Sequence, residues 1–212
     1  MVAGVGAGDA ERLRIAVFAS GTGSNFQALA EAIRGGGIPA SIELLVCDRP
    51  KAPVVGKAEA LGIETFAFRP KEYASREDYE RDILRRLEEK RIGLVVLAGY
   101  MRLVTSVLVE PYYGRMINIH PALLPAFPGV DGIRQALDYG VKVTGVTVHF
   151  VDGGMDTGPI LAQRAVEVAD GDTEETLGAR IHQAEHALLP ETVRWIAEGR
   201  VALNGRIVSV RK

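Results

Sequence analysis

The chain has 212 residues, 47% hydrophobic and 25% charged, with a formal net charge of -2 at pH 7. That length can bury a full core as one domain, and no apolar run approaches the roughly 20 residues of a membrane span. The charge argues against a nonspecific nucleic-acid binder, which needs a basic face; the single cysteine, Cys47, excludes an internal disulfide, and no Cys/His cluster has zinc spacing.

Met1 to Asp9 is small and glycine-rich, without the basic start and apolar core of a signal peptide. Residues 1–12 read as a loose tail ahead of one domain over 13–212, and cytoplasm is the expected setting. Leu13 to Ala19 has the apolar character of a strand. It flows into Ser20-Gly-Thr-Gly-Ser-Asn25 and then into Phe26 to Ile33, where Phe26, Leu29 and Ile33 have helical spacing. Strand, glycine-rich turn and helix aim backbone N–H groups and the helix dipole at an anion. Gly21 and Gly23 allow tight backbone, and Ser24 and Asn25 are expected to cap the helix and donate to phosphate. The bland alternative is a plain helix start. A dinucleotide fingerprint needs a small third residue where Phe26 stands, although Asp48 occupies the place of a ribose-binding acid; a Walker loop needs a Gly-Lys-Ser/Thr that is absent. A monophosphate is the ligand this loop suits.

Ile42 to Cys47 reads as a second strand with Cys47 as a buried small hydrophobe, Val54 to Leu61 as a helix closed by Gly62, and Glu64 to Phe68 as a short strand. Ser75 opens a helix with Tyr79, Ile83, Leu84 and Leu87 as its apolar stripe. Ile92 to Ala98 is nearly continuously apolar, as expected in a parallel sheet covered on both faces. The alternation predicts a mostly parallel, Rossmann-like α/β sheet flanked by helices. Ligands of such sheets sit beyond the strands' carboxyl ends.

Arg115 to Gly129 reads RMINIHPALLPAFPG. In a strand, side chains two apart share a face, so Asn118 and His120 look one way and Ile117 and Ile119 the other. Pro121 keeps His120 on extended backbone. Alone, this is equally an ordinary strand end facing water. Gly145 to Val151 alternates strictly, with His149 a core-edge or surface histidine by pattern. Asp152-Gly-Gly-Met-Asp156 is a loop with two carboxylates, either a solvated turn or a place of close ligand approach. Ile160 to Val168 is a further strand. Thr173 caps a long helix through about Glu198, which Pro190 should kink or restart, and Val201 to Val210 forms a terminal hairpin around Asn204-Gly205. His182 and His186 share a helix face but lack the acid of a zinc motif, so no metal is expected. A carboxylate from the 152–156 loop beside His120 would orient the imidazole and favour its charged form. Asn118 could donate to an oxyanion and His120 could move a proton. No serine or cysteine nucleophile stands out, which favours direct transfer between two bound substrates.

Four segments together carry a resemblance: Ser-Gly-Thr-Gly-Ser-Asn at 20–25, Gly99-Tyr-Met-Arg102, Asn-Ile-His-Pro-Ala-Leu-Leu-Pro at 118–125, and Thr-Val-His-Phe-Val-Asp-Gly-Gly-Met-Asp-Thr-Gly-Pro at 147–159. In this order they resemble the phosphoribosylglycinamide formyltransferase family of 10-formyltetrahydrofolate-dependent enzymes, from about Leu13 to Arg200. The resemblance implies formyl transfer to the amine of glycinamide ribonucleotide in purine synthesis. Asn118 would be the oxyanion donor, His120 the proton shuttle, and Asp156 the acid that raises the histidine's pKa. Gly23, Ser24 and Asn25 would hold the phosphate, and Glu185 would touch the same substrate. Arg76, Met101, Arg102, Leu103, Asn118, Asp152, Gly153, Gly154, Met155 and Asp156 would hold the folate, with Arg76 near its polar tail and His149 in support. Residues 13–100 would be the phosphate-binding half and 101–212 the folate-binding and catalytic half. The molecule would work on small molecules, without metal, nucleic acid or membrane, as a monomer or homodimer. Thr22 and Asp131 depart from residues found in some members (Asn and His), which leaves any role for position 131 open. A formyltetrahydrofolate hydrolase would share the folate half, but tends to carry a second histidine where this chain has Pro121 and an N-terminal domain for which a dozen residues are too few. A methionyl-tRNA formyltransferase would need a further domain and a basic surface. A non-catalytic nucleotide-binding module would not need Asn118, His120 and Asp156 together.

Overall fold

A computed structural model describes residues 12–211; the tail expected at 1–12 therefore lies outside the described residues up to position 11. The elements are β1 (Leu13–Phe18), α1 (Ser24–Arg34), β2 (Ala40–Cys47), α2 (Pro53–Ala60), β3 (Thr65–Ala67), α3 (Arg76–Glu89) and β4 (Leu94–Leu97). They continue with α4 (Ser106–Val109), β5 (Met116–His120), α5 (Gly132–Tyr139), β6 (Val143–Phe150), β7 (Ile160–Glu167), α6 (Glu174–Ala197), and the hairpin β8 (Val201–Asn204) and β9 (Ile207–Val210).

Seven strands form one sheet in the order β3-β2-β1-β4-β5-β6-β7. The first four pairings are parallel, and β5–β6 and β6–β7 are antiparallel. The near-continuous apolar strands follow from cover on both faces: Ile15, Ala16, Val17 and Phe18 are all fully buried. Ile15 and Val17 point into a layer with Ile117, Ile119, Val146 and Val148, closed by Leu29 of α1 and Leu177, Ile181 and Leu188 of α6. Ala16 and Phe18 point into the opposite layer with Tyr79, Ile83 and Leu87 of α3 and Leu108 of α4. Each fully buried aliphatic or aromatic side chain contributes about 1.5–3 kcal/mol. The sequence-predicted strand faces at 117–120 and 146–150 are those observed.

Four local expectations need correction. The cap of α1 is Gly23, in the left-handed region at φ 71°, with no side-chain cap; Ser24 and Asn25 are already helical. The α6 helix passes through Pro190 without restarting, because Leu177, Ile181, Leu188 and Val193 on its buried face hold it against the sheet through the proline. Asn204 pairs with Ile207, so the hairpin turn is Gly205-Arg206 and not Asn204-Gly205. The short helices α4 and α5 went unpredicted.

Candidate active site

The strand ends deliver the site. β5 ends at His120 because Pro121 follows it, and β6 runs back alongside, so Asn118 lies opposite His149 and His120 opposite Thr147. The loop after β6 then brings Asp156 over both. Asn118 Nδ2 donates to Asp156 Oδ1 at 3.3 Å and lies 3.1 Å from His149 Nε2. His120 Nδ1 is 3.5 Å from Asp156 Oδ2, and His149 Nε2 is 3.5 Å from Oδ1. The backbone N–H of Gly129 donates to Asp156 Oδ2 at 2.7 Å. Two carbonyls fix the rings: Phe127 O lies 2.8 Å from His120 Nε2, and Phe150 O 2.8 Å from His149 Nδ1. A carbonyl only accepts, so each facing nitrogen carries the proton. The neutral His149 ring then accepts from Asn118 through Nε2, and the protonated ring reaches Asp156.

Asp156 is the electrostatic centre. Burial alone would raise its carboxyl. The hydrogen bonds from His149 and the Gly129 N–H, with positive charge on His120 and His149, outweigh that and hold it below the ordinary carboxylate value. His120 and His149 are 4% and 2% exposed. Loop geometry is set by Gly158: a Cβ there would lie 1.8 Å from Phe150 O. Asp152 does not join the cluster; it accepts from the Gly154 N–H and Thr157 Oγ1, closing the 152–157 turn. Met155 is half exposed at the rim.

The glycine loop forms a second locus. Gly23 must be glycine: besides its positive φ, a Cβ would meet Val54 Cγ2 at 2.4 Å. With no side chain capping α1, its first-turn N–H groups stay open to an anion. Asn25 Nδ2 donates to Glu185 Oε2 across 160 positions of sequence at 3.0 Å, while Asn25 Oδ1 is buried without a partner. Burial raises the Glu185 carboxyl, the Asn25 hydrogen bond opposing it. Two buried polar groups with spare capacity thus face each other beside the loop, an arrangement that a polar ligand satisfies.

A hub joins this loop to the segment after β4. Asp48 accepts from Ser20 Oγ at 2.5 Å and from Arg102 Nε at 2.6 Å, and Ser20 Oγ accepts from the Met101 N–H at 2.9 Å. Asp48, in the place of a ribose-binding acid, is therefore committed to internal partners. Met101 and Leu103 are 62% and 49% exposed, and Arg76 Nη1 donates to the Leu103 carbonyl at 3.2 Å. Beneath, Glu80 of α3 accepts from Thr105 through both its backbone N–H and its hydroxyl. Sequence reasoning did not single out Ser20, the Phe127 carbonyl or the Gly129 N–H for the site. The last two act through backbone, which leaves no side-chain signal. Among the described residues no group of three or more metal-ligating side chains is assembled, and no helix is long and apolar enough to cross a membrane.

Residues 13–193 match the formyl transferase family. Over 193 residues the chain is 49% identical to the phosphoribosylglycinamide formyltransferase of Bacillus subtilis, covering 91% of this chain and 97% of that one. Its fold superposes on the glycinamide ribonucleotide transformylase 1 of Symbiobacterium toebii with a TM-score of 0.93 at 43% identity, over 96% of each chain. A formyltetrahydrofolate deformylase from Pseudomonas syringae pv. tomato shares the fold at a TM-score of 0.89, but at 26% identity, over 96% of this chain and 67% of that one.

Proposed function

The chain belongs to the formyl transferase family, and from that premise we propose that it transfers a formyl group from 10-formyltetrahydrofolate to the amine of glycinamide ribonucleotide in purine synthesis. The observation that carries the residue roles is the convergence of Asn118, His120, His149 and the Gly129 N–H on the Asp156 carboxylate. The substrate nitrogen attacks the formyl carbon and forms the new C–N bond. The carbonyl oxygen becomes an oxyanion, to which Asn118 Nδ2 donates in place of its present contact with Asp156. His120 takes the proton the amine loses and gives it to the donor nitrogen as the bond from N10 to the formyl carbon breaks. The Asp156 charge stabilises the imidazolium that exists between those events. For the shuttle to act, Nε2 leaves the Phe127 carbonyl and the ring's proton shifts to Nδ1, which faces Asp156, so that Nε2 is free to accept the proton of the substrate amine.

Division of binding follows the two loci. Gly23, Ser24 and Asn25 hold the phosphate at the open start of α1, and Glu185 accepts from donors of the same substrate. Met101, Arg102, Leu103 and the 152–156 loop hold the folate, Arg76 stands near its tail, and His149 orients Asn118 and Asp156. Residues 13–100 carry the phosphate loop and 101–212 most of the folate contacts and the chemistry, with Glu185 and Arg76 each reaching across to the other half's ligand.

The test supplies the formyl donor with and without the ribonucleotide and follows donor loss and product mass. Consumption that requires the ribonucleotide is expected; consumption indifferent to it identifies a hydrolase. His120→Ala is expected to lower turnover by about 10²–10⁴-fold, the usual contribution of a general acid–base group, with the melting temperature little changed. A near-wild-type rate refutes the shuttle.

A further inference from the structure

β1 lies between β2 and β4 in the sheet, so the chain leaving β1 passes between those leaving β2 and β4. The backbone ladder runs on past the strands: the Ala19 N–H donates to the Val46 carbonyl at 3.0 Å, and the Ser20 N–H to the Gly99 carbonyl at 3.0 Å. Ser20 thus stands just ahead of the glycine turn assigned to the phosphate and against the segment assigned to the folate. Its side chain repeats the tie. A hydroxyl both donates and accepts. The proton goes to Asp48 Oδ1 at 2.5 Å, which leaves a lone pair for the Met101 N–H at 2.9 Å. Asp48 Oδ2 accepts from Arg102 Nε at 2.6 Å, so one carboxylate holds both the serine and the residue after Met101. Ser20 and Asp48 are 1% and 4% exposed, and water does not compete for these bonds.

The exposed side chains of Met101 and Leu103 give their segment little packing of its own, so hydrogen bonds place it. Glu80 pins its far end through Thr105, and Ser20 pins its near end. The turn that begins at Ser20 supplies the N–H groups for an anion at the start of α1. An anion held there removes backbone freedom from the turn, and a second ligand that needs the same order then loses less entropy on binding. We propose that Ser20, held by Asp48, is a positioning residue that couples the two substrate sites, so that each substrate binds more tightly when the other is present. Phosphate at the glycine turn fixes Ser20, and Ser20 fixes the Met101 N–H and with it the donor segment. The inference rests on the assignment of phosphate and folate to these two loci, and the reacting groups Asn118, His120 and Asp156 take no part in it.

The experiment uses glycinamide ribonucleotide with tetrahydrofolate, which carries no formyl group, so the pair binds without reacting. Calorimetry gives Kd for each ligand alone and with the other at saturation. In wild type, tetrahydrofolate is expected to bind about fivefold more tightly with the ribonucleotide present, and the ribonucleotide more tightly by the same factor with tetrahydrofolate present. Ser20→Ala neither donates to Asp48 nor accepts from Met101, and brings the factor to about one, with circular dichroism and melting temperature reporting that it folds. Where Ser20→Ala fails to melt cooperatively, Asp48→Asn, which keeps the size of the side chain but leaves one oxygen for two donors, is read in its place. A second readout is amide hydrogen exchange over residues 99–103, which slows when the ribonucleotide alone binds wild type and does not change when it binds the variant. A factor of one in wild type, a factor that survives in the folded variant, or slowed exchange in both proteins each overturn the coupling. Wild type that binds neither ligand overturns the proposed function with it; wild type that binds each ligand with a factor of one removes only the coupling.

Discussion

At the residue scale the decisive position is Asp156, held at φ 55° in the left-handed region. Asparagine tolerates that conformation as well as aspartate does, so Asp156→Asn removes charge without adding backbone strain. We expect it to lose most turnover. It also has a pH signature. The folded carboxyl lies below its unfolded value of 3.8, so ionisation contributes stability that is fully present above that value and is lost as pH falls through the folded pKa. The stability gap between wild type and Asp156→Asn, measured by urea unfolding, should therefore be widest near neutrality and narrow below about pH 4. A gap independent of pH contradicts the assigned electrostatics. The residue pattern alone left His149 a core-edge histidine. Its place against Asn118 and Asp156 depends on which strand pairs with which, and one strand's alternation does not hold that information.

At the element scale, strands and long helices were legible because each repeats its signal: β4 is apolar throughout, and α6 keeps Leu177, Ile181, Ala184 and Leu188 on one face over several turns. The α4 and α5 helices have four and eight residues, too few for periodicity to rise above chance. The start of α1 misled for a different reason. Serine and asparagine are favoured caps, but the chain turns at Gly23 through a conformation that only glycine adopts freely, with Val54 pressed against it. Gly23→Ala combines strain at positive φ with a clash, and overpacking of this kind costs about 1–3 kcal/mol. It is expected to lower the melting temperature and to raise KM for the ribonucleotide more than for the donor. Equal effects on both KM values argue against a phosphate site at this turn.

For the whole molecule, the parallel half was readable from its alternation of strands and helices, and the direction of β6 and β7 was not. Antiparallel reversal is a property of how connections cross the sheet, and the residues of β6 fit either direction. The candidate site depends on that reversal, since it sets His149 beside Asn118 and delivers the loop bearing Asp156. It depends equally on α6, which closes one apolar layer and contributes Glu185 to Asn25. A chain ending at Asp172 is expected to bind a hydrophobic dye strongly, to give no cooperative melting transition and to bind neither substrate. Cooperative unfolding of that fragment contradicts the role given to α6.

The pairing of α1 with α6 has a consequence for the order in which the molecule comes into being. The ribosome releases α1 among the first elements and α6 after all seven strands of the sheet. Through most of synthesis the layer of Ile15, Val17, Ile117, Val146 and Val148 therefore has only part of its cover, and an uncovered apolar layer is a site of misassembly. That layer is closed, and Glu185 brought to Asn25, only once α6 has emerged.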